Sequence, residues 1–416
     1  DLSQIVSGPL ATMLLADQGA EVIKVEQADS IGDMTRLPSF ASGGIAALYA
    51  NNNRGKQSIA LDLTTDEGRS ILCELVAEAD VVVQNFRPGA VERLGIAYDD
   101  LVAVRPDLVY CSISGFGPTG PYSGQPVLDP VIQGIAGVIG RQCNPADGRP
   151  DLVRNLFADK STALTVAQAI TAALLVRERT GEGQHIDVAM AATLMAMNEH
   201  AHMDLNGLDP GDDPAILGAT DGSFFVGPNG EQFLSAISLV NTITFGWFVA
   251  AMRRPDLMDD PRFRTSALRR ANLADLIEVV QKWIWTFPDM ATMDAQFDEA
   301  KIAIGEVRTM EHIAESEWAE YWGATSQVPD RQGGEYRLPG RPWKFSSGDL
   351  PLPGAPSEQG EQNHDICREL GFSDAEIAAM EENGSLVGNF TAQMIAMVTA
   401  QLAAKEAKFA SEEASG

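Results

Sequence analysis

The sequence predicts an α/β fold, and three observations carry that expectation. Short β-branched runs (AEVIKVE at 20–26, SIALDL at 58–63, DVVVQNF at 80–86 and LVYCSISGFG at 108–117) alternate with segments of helical spacing. The run at 80–86 is apolar with little alternation, as a strand covered on both faces of a parallel sheet requires. The resulting β-α-β-α-β order points to a doubly wound sheet with helical crossovers. Ligands of such sheets lie beyond the carboxyl ends of the strands, here Glu26, Phe86 and Gly117.

Each element follows from local chemistry. Residues 10–18 (LATMLLADQ) have helical spacing and stop at Gly19. Thr64-Thr65-Asp66-Glu67 is an N-cap signal for the amphipathic helix GRSILCELVAEA at 68–79. RPGAVERLG at 87–95 is a loop opening a short helix. A long apolar helix at 159–179 is closed by the turn TGEGQ and the strand HIDVAM. The Gly-, Pro- and Asp-rich stretch ending at 218 marks a change of pattern. The expected division is a larger unit at 1–210, a smaller one at 211–330, and a linker and return segment at 331–416. The smaller unit opens on strands SFFVGP and FLSAI joined by the hairpin-like turn GPNGEQ, and helices then run from about 240 to 325. Residues 331–360 read as an extended Pro/Gly-rich crossing. A two-helix unit at 364–384 and a final helix at 389–409 complete the chain.

Charge narrows the function. The 416 residues carry 30 Lys+Arg against 58 Asp+Glu, a net charge of −28. Such an excess of carboxylate opposes nucleic acid and a bare anionic membrane surface. No apolar stretch reaches the 18 residues that suggest a membrane span. Cys73, Cys111, Cys143 and Cys367 form no CxxC pair and have no histidine at ligand spacing. They read as free thiols in a reducing, cytoplasmic setting, and no metal is expected. The opening DLSQI lacks a basic or apolar leader and reads as a start from which a short native N-terminus is missing.

The chemistry-bearing patterns are few. There is no P-loop, GxGxxG fingerprint, GxSxG elbow or HExxH. GFGPTG at 115–120 fits a tight turn as well as a ligand loop. Asp159 stands at the expected N-cap of the long apolar helix, where orphan N–H groups hold a carboxylate ionised. It is either a plain cap or a nucleophile for acyl transfer, and the pattern alone leaves both open. Lys24, Arg36, Arg54, Lys56, Arg87 and Arg93 gather near strand ends, which suits a phosphate-bearing ligand or solvated surface charge. His185, His200, His202, His312 and His364 form no metal or triad pattern.

Together these motifs resemble the class III CoA-transferases (the CaiB/BaiF family), which include formyl-CoA transferase and the α-methylacyl-CoA racemases. The resemblance rests on SGPLATMLLADQGAEVIKVE (7–26), GDMTR (32–36), NRGKQSIALDL (53–63), ADVVVQNFRPGAVERLG (79–95), LVYCSISGFGPTGPY (108–122) and RERTGEGQHIDVAM (177–190). LPGRPWKFSSGDLP and ELGFSDAEI extend it, and the match is weakest from about 220 to 330. The resemblance implies a large Rossmann-like domain built from both chain ends, a smaller α+β domain between them, and an interlocked homodimer. It implies an enzyme that moves CoA from an acyl-CoA to a carboxylic acid without a metal. Asp159 would be the nucleophile, forming an anhydride and then an aspartyl-CoA thioester, with Ser7 and the turn at Gly117 stabilising oxyanions.

The same resemblance carries CoA contacts to Leu61, Asn85, Phe86, Arg93 and Leu94, and more loosely to Arg87 and Arg36. Three departures bear on the acceptor: Gln27 replaces an adenine-stacking Arg, Val6 replaces a Gln of formyl-CoA transferase, and no tetraglycine loop appears near GPNGEQ. They argue against a small oxalate-like acceptor. The racemase branch carries a His-Asp step where this chain has Leu128-Asp129, and a Glu near Ser238 or Leu239. Racemisation needs two acid/base groups, so the missing histidine ranks it below CoA transfer. A non-catalytic CoA-binding homologue stands third, with the intact Asp159 against it. Asp129 is a second active-site carboxylate or a structural one.

Overall fold

A computed structural model describes residues 1–28, 30–37, 41–42, 45–141, 149–198, 201–208, 223–347, 350 and 354–388. The expected final helix at 389–409, Cys143 and His200 lie outside the described residues. The chain divides into two compact units, Asp1–Glu199 with Trp322–Gly416, and His200–Tyr321.

The first unit contains strands β1 (Ile23–Gln27), β2 (Ala41–Ser42), β3 (Ile45–Ala46), β4 (Gln57–Leu61), β5 (Val81–Gln84), β6 (Val109–Ser114) and β7 (Gln184–Ala189). Its helices up to β7 are α1 (Ser7–Asp17), α2 (Ala47–Asn53), α3 (Asp66–Glu78), α4 (Ala90–Leu94), α5 (Tyr98–Leu101), α6 (Asp129–Ile135), α7 (Val138–Arg141) and α8 (Phe157–Thr180). β1 pairs with β4, and β5 with β6 and β6 with β7, all in parallel. Residues 1–2 splice the two groups: the Val25 N–H donates to the Asp1 carbonyl at 2.9 Å, and the Leu2 N–H to the Val83 carbonyl at 2.8 Å. The mixed α/β class with parallel sheets is therefore as the strand pattern predicted.

Caps and glycines set the element ends. The Thr65 hydroxyl accepts the Gly68 N–H at 3.0 Å and starts α3 where the cap signal placed it. Gly181, at φ 76°, ends α8. At Gly183 a Cβ would fall 2.3 Å from the Asp107 carbonyl carbon, so the TGEGQ turn closes onto the start of β6 only without a side chain. The edge of β4 is covered by the return segment: Gln362 and Asn363 side chains accept the Ser58 and Ala60 N–H groups at 2.8 and 2.9 Å.

α1 and α8 lie side by side in the same direction. Ala11, Ala158 and Ala163 share one core cluster, and Leu14 meets Ala167 further along. These small residues let the helices approach closely, which brings both N-termini to one place. The expected helix at 10–18 in fact begins at Ser7, because Pro9 is tolerated in a first turn.

The second unit holds an antiparallel sheet of β8 (Ser223–Val226), β9 (Gln232–Ser235) and β10 (Ile304–Glu306). Helices Thr242–Met252, Leu273–Ile284 and Met290–Glu299 pack on an aromatic core that includes Phe225, Phe233, Phe245, Phe248 and Phe297. β10 falls among the helices expected from about 240 to 325; three residues are too few for a periodic signal. A correction concerns 331–360. Its early part, β12 (Glu335–Pro339), pairs with β11 (Thr325–Pro329) as a hairpin in the first unit. Cys111 and Cys367 are buried free thiols, whereas Cys73 is only half-buried.

Candidate active site

The candidate site is built around the carboxylate at the start of α8. α8 begins at Phe157, with Leu156 in the left-handed region at φ 47° as its N-cap, so Asp159 is the third residue of the helix, in its first turn. This corrects the N-cap expectation: its side chain is not spent on capping and is free to face α1. Asp159 is 8% exposed. The Ser7 hydroxyl lies near enough to its carboxylate to lower its pKa, and the Asp159 N–H donates to Asp129 Oδ2 at 3.0 Å.

The electrostatics at Asp159 are opposed. Burial and the nearby Asp129 charge push its pKa up to about 6, while the Ser7 hydrogen bond pulls the other way. The group is still ionised at neutral pH, but it is poorly solvated and more basic than an ordinary carboxylate. Asp129 opens α6 and is itself buried. Its Oδ1 accepts the Gln133 side-chain N–H at 2.5 Å. Gln133 exchanges two further bonds with the Val153 backbone, at 3.1 and 3.0 Å, and so ties the segment before α8 to α6.

A cavity of about 360 Å³ lies on the Asp129 side, with Val6, Leu48, Asn52, Asp129, Leu156 and Lys160 among its walls; Asp159 does not line it. The Lys160 ammonium donates to Asn155 Oδ1 at 2.8 Å. Leu128, at the position of the racemase histidine, presents an exposed apolar side chain with no acid or base to offer. Ser238, near the racemase glutamate position, is buried in the second unit, and its hydroxyl accepts the Val240 N–H.

The positions expected to contact CoA divide into two sets. Arg87 and Arg93 are exposed on the loop after β5 and on α4; Phe86 and Leu94 are half-buried beside them. Gly89, at φ 84°, leaves room for the Arg93 guanidinium, which a Cβ there would meet at 3.2 Å. Leu61 lies fully inside the core, and the Asn85 amide is engaged with the Gln4 backbone at 2.8 and 2.7 Å.

Arg36 requires a correction. Its guanidinium is buried, forked onto Glu26 at 2.8 and 2.6 Å, and bonded to Tyr49 and to the Ser357 carbonyl. Lys24–Asp33 (3.0 Å), Arg54–Asp17 (2.5 Å) and Lys56–Asp1 (2.9 Å) are likewise buried pairs. Four of the six clustered cations therefore neutralise interior carboxylates, leaving Arg87 and Arg93 to face solvent. The Gly117 N–H, expected near an oxyanion, donates to Ser114 Oγ at 2.9 Å.

Among the described residues no group of His, Cys, Asp and Glu could hold a metal ion, and no helix is long and apolar enough to cross a membrane. The profile of CoA-transferase family III matches residues 1–363. The chain belongs to CoA-transferase family III. As a member it is an enzyme of CoA transfer between an acyl-CoA and a carboxylate. It is 32% identical to an acetyl-CoA:oxalate CoA-transferase of Acetobacter aceti, with 86% of this chain and 92% of that one covered. It is 36% identical to a succinyl-CoA:mesaconate CoA-transferase of Haloarcula hispanica over 71% of this chain and 75% of the relative. The crystal structure of a CaiB/BaiF family protein from Brucella suis superposes with TM-score 0.72 at 31% identity, covering 89% of this chain and 97% of that one.

Two site residues escaped sequence reasoning. Gln133 had a signal, since it stands four residues after Asp129 on one helix face. Asp33 lies inside the quoted GDMTR motif, but its partner, the Ile5 N–H, is a backbone group 28 positions away that no pattern discloses.

Proposed function

We propose that this CoA-transferase works through covalent catalysis at Asp159. The Asp159 carboxylate attacks the thioester carbonyl of the donor acyl-CoA; the C–S bond breaks and CoA leaves as thiolate, giving a mixed anhydride. The thiolate attacks the aspartyl carbonyl, releasing the donor acid and leaving an aspartyl-CoA thioester. The acceptor carboxylate attacks that thioester, expels CoA thiolate and forms a second anhydride. The thiolate then takes the acceptor acyl group and returns Asp159 to its free carboxylate. Every step is an acyl substitution, so no electron acceptor or metal is required.

The observation that carries this reading is a buried carboxylate raised to about 6 at the meeting point of two helix starts. Desolvation makes the anion a better nucleophile, and the Ser7 hydroxyl with the first turn of α1 offers donors to the oxyanion. Arg87 and Arg93, with Phe86 and Leu94, form the CoA side of the site; Asn85 and Leu61 support it from within. Asp129 acts through Asp159 as the second carboxylate. The apolar walls Val6 and Leu48 suit an acceptor with carbons between its carboxylates better than oxalate. A partner subunit is supported by exposed apolar side chains at Leu128, just before α6, and at Val131 and Ile135 on it, which an interlocked homodimer would cover.

Incubation with an acyl-CoA, followed by mass spectrometry of the Asp159 peptide, tests the mechanism. Acyl or CoA adducts on Asp159, absent in Asp159→Ala, are expected. No adduct, together with deuterium uptake at the substrate α-carbon, would favour proton-transfer chemistry instead.

A further inference from the structure

The chain enters α1 through a backbone conformation that its own side chain disfavours. Ile5 stands at φ 73°, in the left-handed region that β-branched residues rarely occupy. Three side chains from three separate places hold the segment around it. Lys24 of β1 donates its Nζ–H to the Ser3 carbonyl at 2.8 Å. Asn85, just past β5, pairs with both the N–H and the carbonyl of Gln4 at 2.8 and 2.7 Å. Asp33 accepts the Ile5 N–H on both carboxylate oxygens at 3.2 Å. Lys24 and Asp33 also pair with each other at 3.0 Å, and neither is more than 1% exposed.

Three consecutive residues are thus fixed through their backbone polar groups. Two residues later α1 begins, without a side-chain cap on Val6, and Ser7 lies near enough to the Asp159 carboxylate to lower its pKa. A relaxed residue 5 would rotate the following peptide and send the start of α1 elsewhere. The hydrogen bonds of Asp33 to Thr35, at 2.9 and 2.7 Å, account for a turn cap but not for the bonds to Ile5 and Lys24.

We infer that Asp33, Lys24 and Asn85 are positioning residues, a clamp that holds Ile5 in the left-handed region so that Ser7 and the first turn of α1 meet Asp159. The inference rests on the reading of Asp159 as nucleophile. Because Gly adopts positive φ without penalty, Ile5→Gly should make the clamp dispensable.

The test is a double-mutant cycle read as the single-turnover rate of Asp159 acylation at saturating acyl-CoA. Asp33→Asn is expected to slow acylation about tenfold or more, as a small misplacement of reacting groups does, with KM changed by less than about threefold. Adding Ile5→Gly should recover most of that loss. Wild-type acylation in Asp33→Asn, or no recovery in the double variant, overturns the inference. Should Asp33→Asn fail to fold by circular dichroism, Asn85→Ala takes its place. A rate loss there that Ile5→Gly rescues supports the clamp, while an unrescued rise in KM alone marks Asn85 as a CoA contact and overturns it. A wild-type enzyme with no Asp159 adduct would instead remove the nucleophile reading.

Discussion

Asp129 takes the backbone N–H of Asp159 on Oδ2 at 3.0 Å, so two carboxylates of one charge share a buried corner. The arrangement holds the Asp159 main chain while burial and then the Asp129 charge raise the Asp159 pKa. Asp129→Asn keeps the size and one acceptor oxygen but removes the charge. The acid limb of acylation against pH should therefore move from about 6 toward the ordinary carboxylate range, by roughly half a unit or more. Single-turnover rates between pH 4.5 and 8 measure this. An unmoved limb would mean that burial alone sets the Asp159 pKa.

The same pKa makes Asp159 a liability to stability. Its folded value of about 6 lies above the ordinary 3.8, so the folded state binds the proton more tightly than the unfolded chain. Stability then falls as pH rises from about 4 to about 6 and stays reduced above that. Some two units at 1.36 kcal/mol each give a penalty of up to about 3 kcal/mol at pH 7.5. Asp159→Asn should be inactive yet raise Tm at pH 7.5, with the gain shrinking toward zero at pH 4. Thermal unfolding of both proteins at the two pH values decides it; equal Tm at pH 7.5 would refute the strained-carboxylate account.

Arg36 separates a scaffold role from a CoA-binding one. Its charge and fork of hydrogen bonds answer Glu26, whose pKa burial would raise and Arg36 holds below the ordinary value. Arg36→Met leaves that carboxylate buried without its partner, a loss on the order of 3–5 kcal/mol. The expected outcome is a large drop in Cm for urea unfolding with the KM for acyl-CoA nearly unchanged in the folded fraction. A raised KM with intact stability would return Arg36 to the CoA site.

What the sequence disclosed and what it hid divide along physical lines. Strands such as 80–86 and the cap at Thr65 are written in local composition, so they were legible. The acidic residue at 159 is visible as a local feature at the start of a long apolar helix, but the pattern leaves cap and nucleophile open and only the family resemblance separates them. The start of α8 was misplaced by two residues because Leu156 caps it through a left-handed backbone and no side-chain signal. The basic cluster was misread for a related reason. Charge counts cannot tell Arg36, paired inside the protein, from Arg93, which lies at its surface. Likewise, β10 and the β11–β12 hairpin are too short for periodicity, and pairing across the fold creates them.

In the proposed CoA site, Arg87 and Arg93 are the cations left to meet phosphate, since the other four are paired inside the protein. Both are exposed at the exit of β5, and Gly89 keeps the space over the turn open for the Arg93 guanidinium. An exposed cation contributes about 0.2–1 kcal/mol to a charge pair, so removing both should weaken CoA binding roughly 2- to 30-fold. Arg87→Ala with Arg93→Ala is therefore expected to raise the KM for acyl-CoA within that range and leave the acylation rate at saturation near wild type. The wild-type KM should climb with added salt, since the contact is solvent-screened, and the double variant should lose most of that dependence. Initial rates at low and high ionic strength measure both effects. A double variant with unchanged KM and unchanged salt dependence would move the phosphate contacts away from this loop.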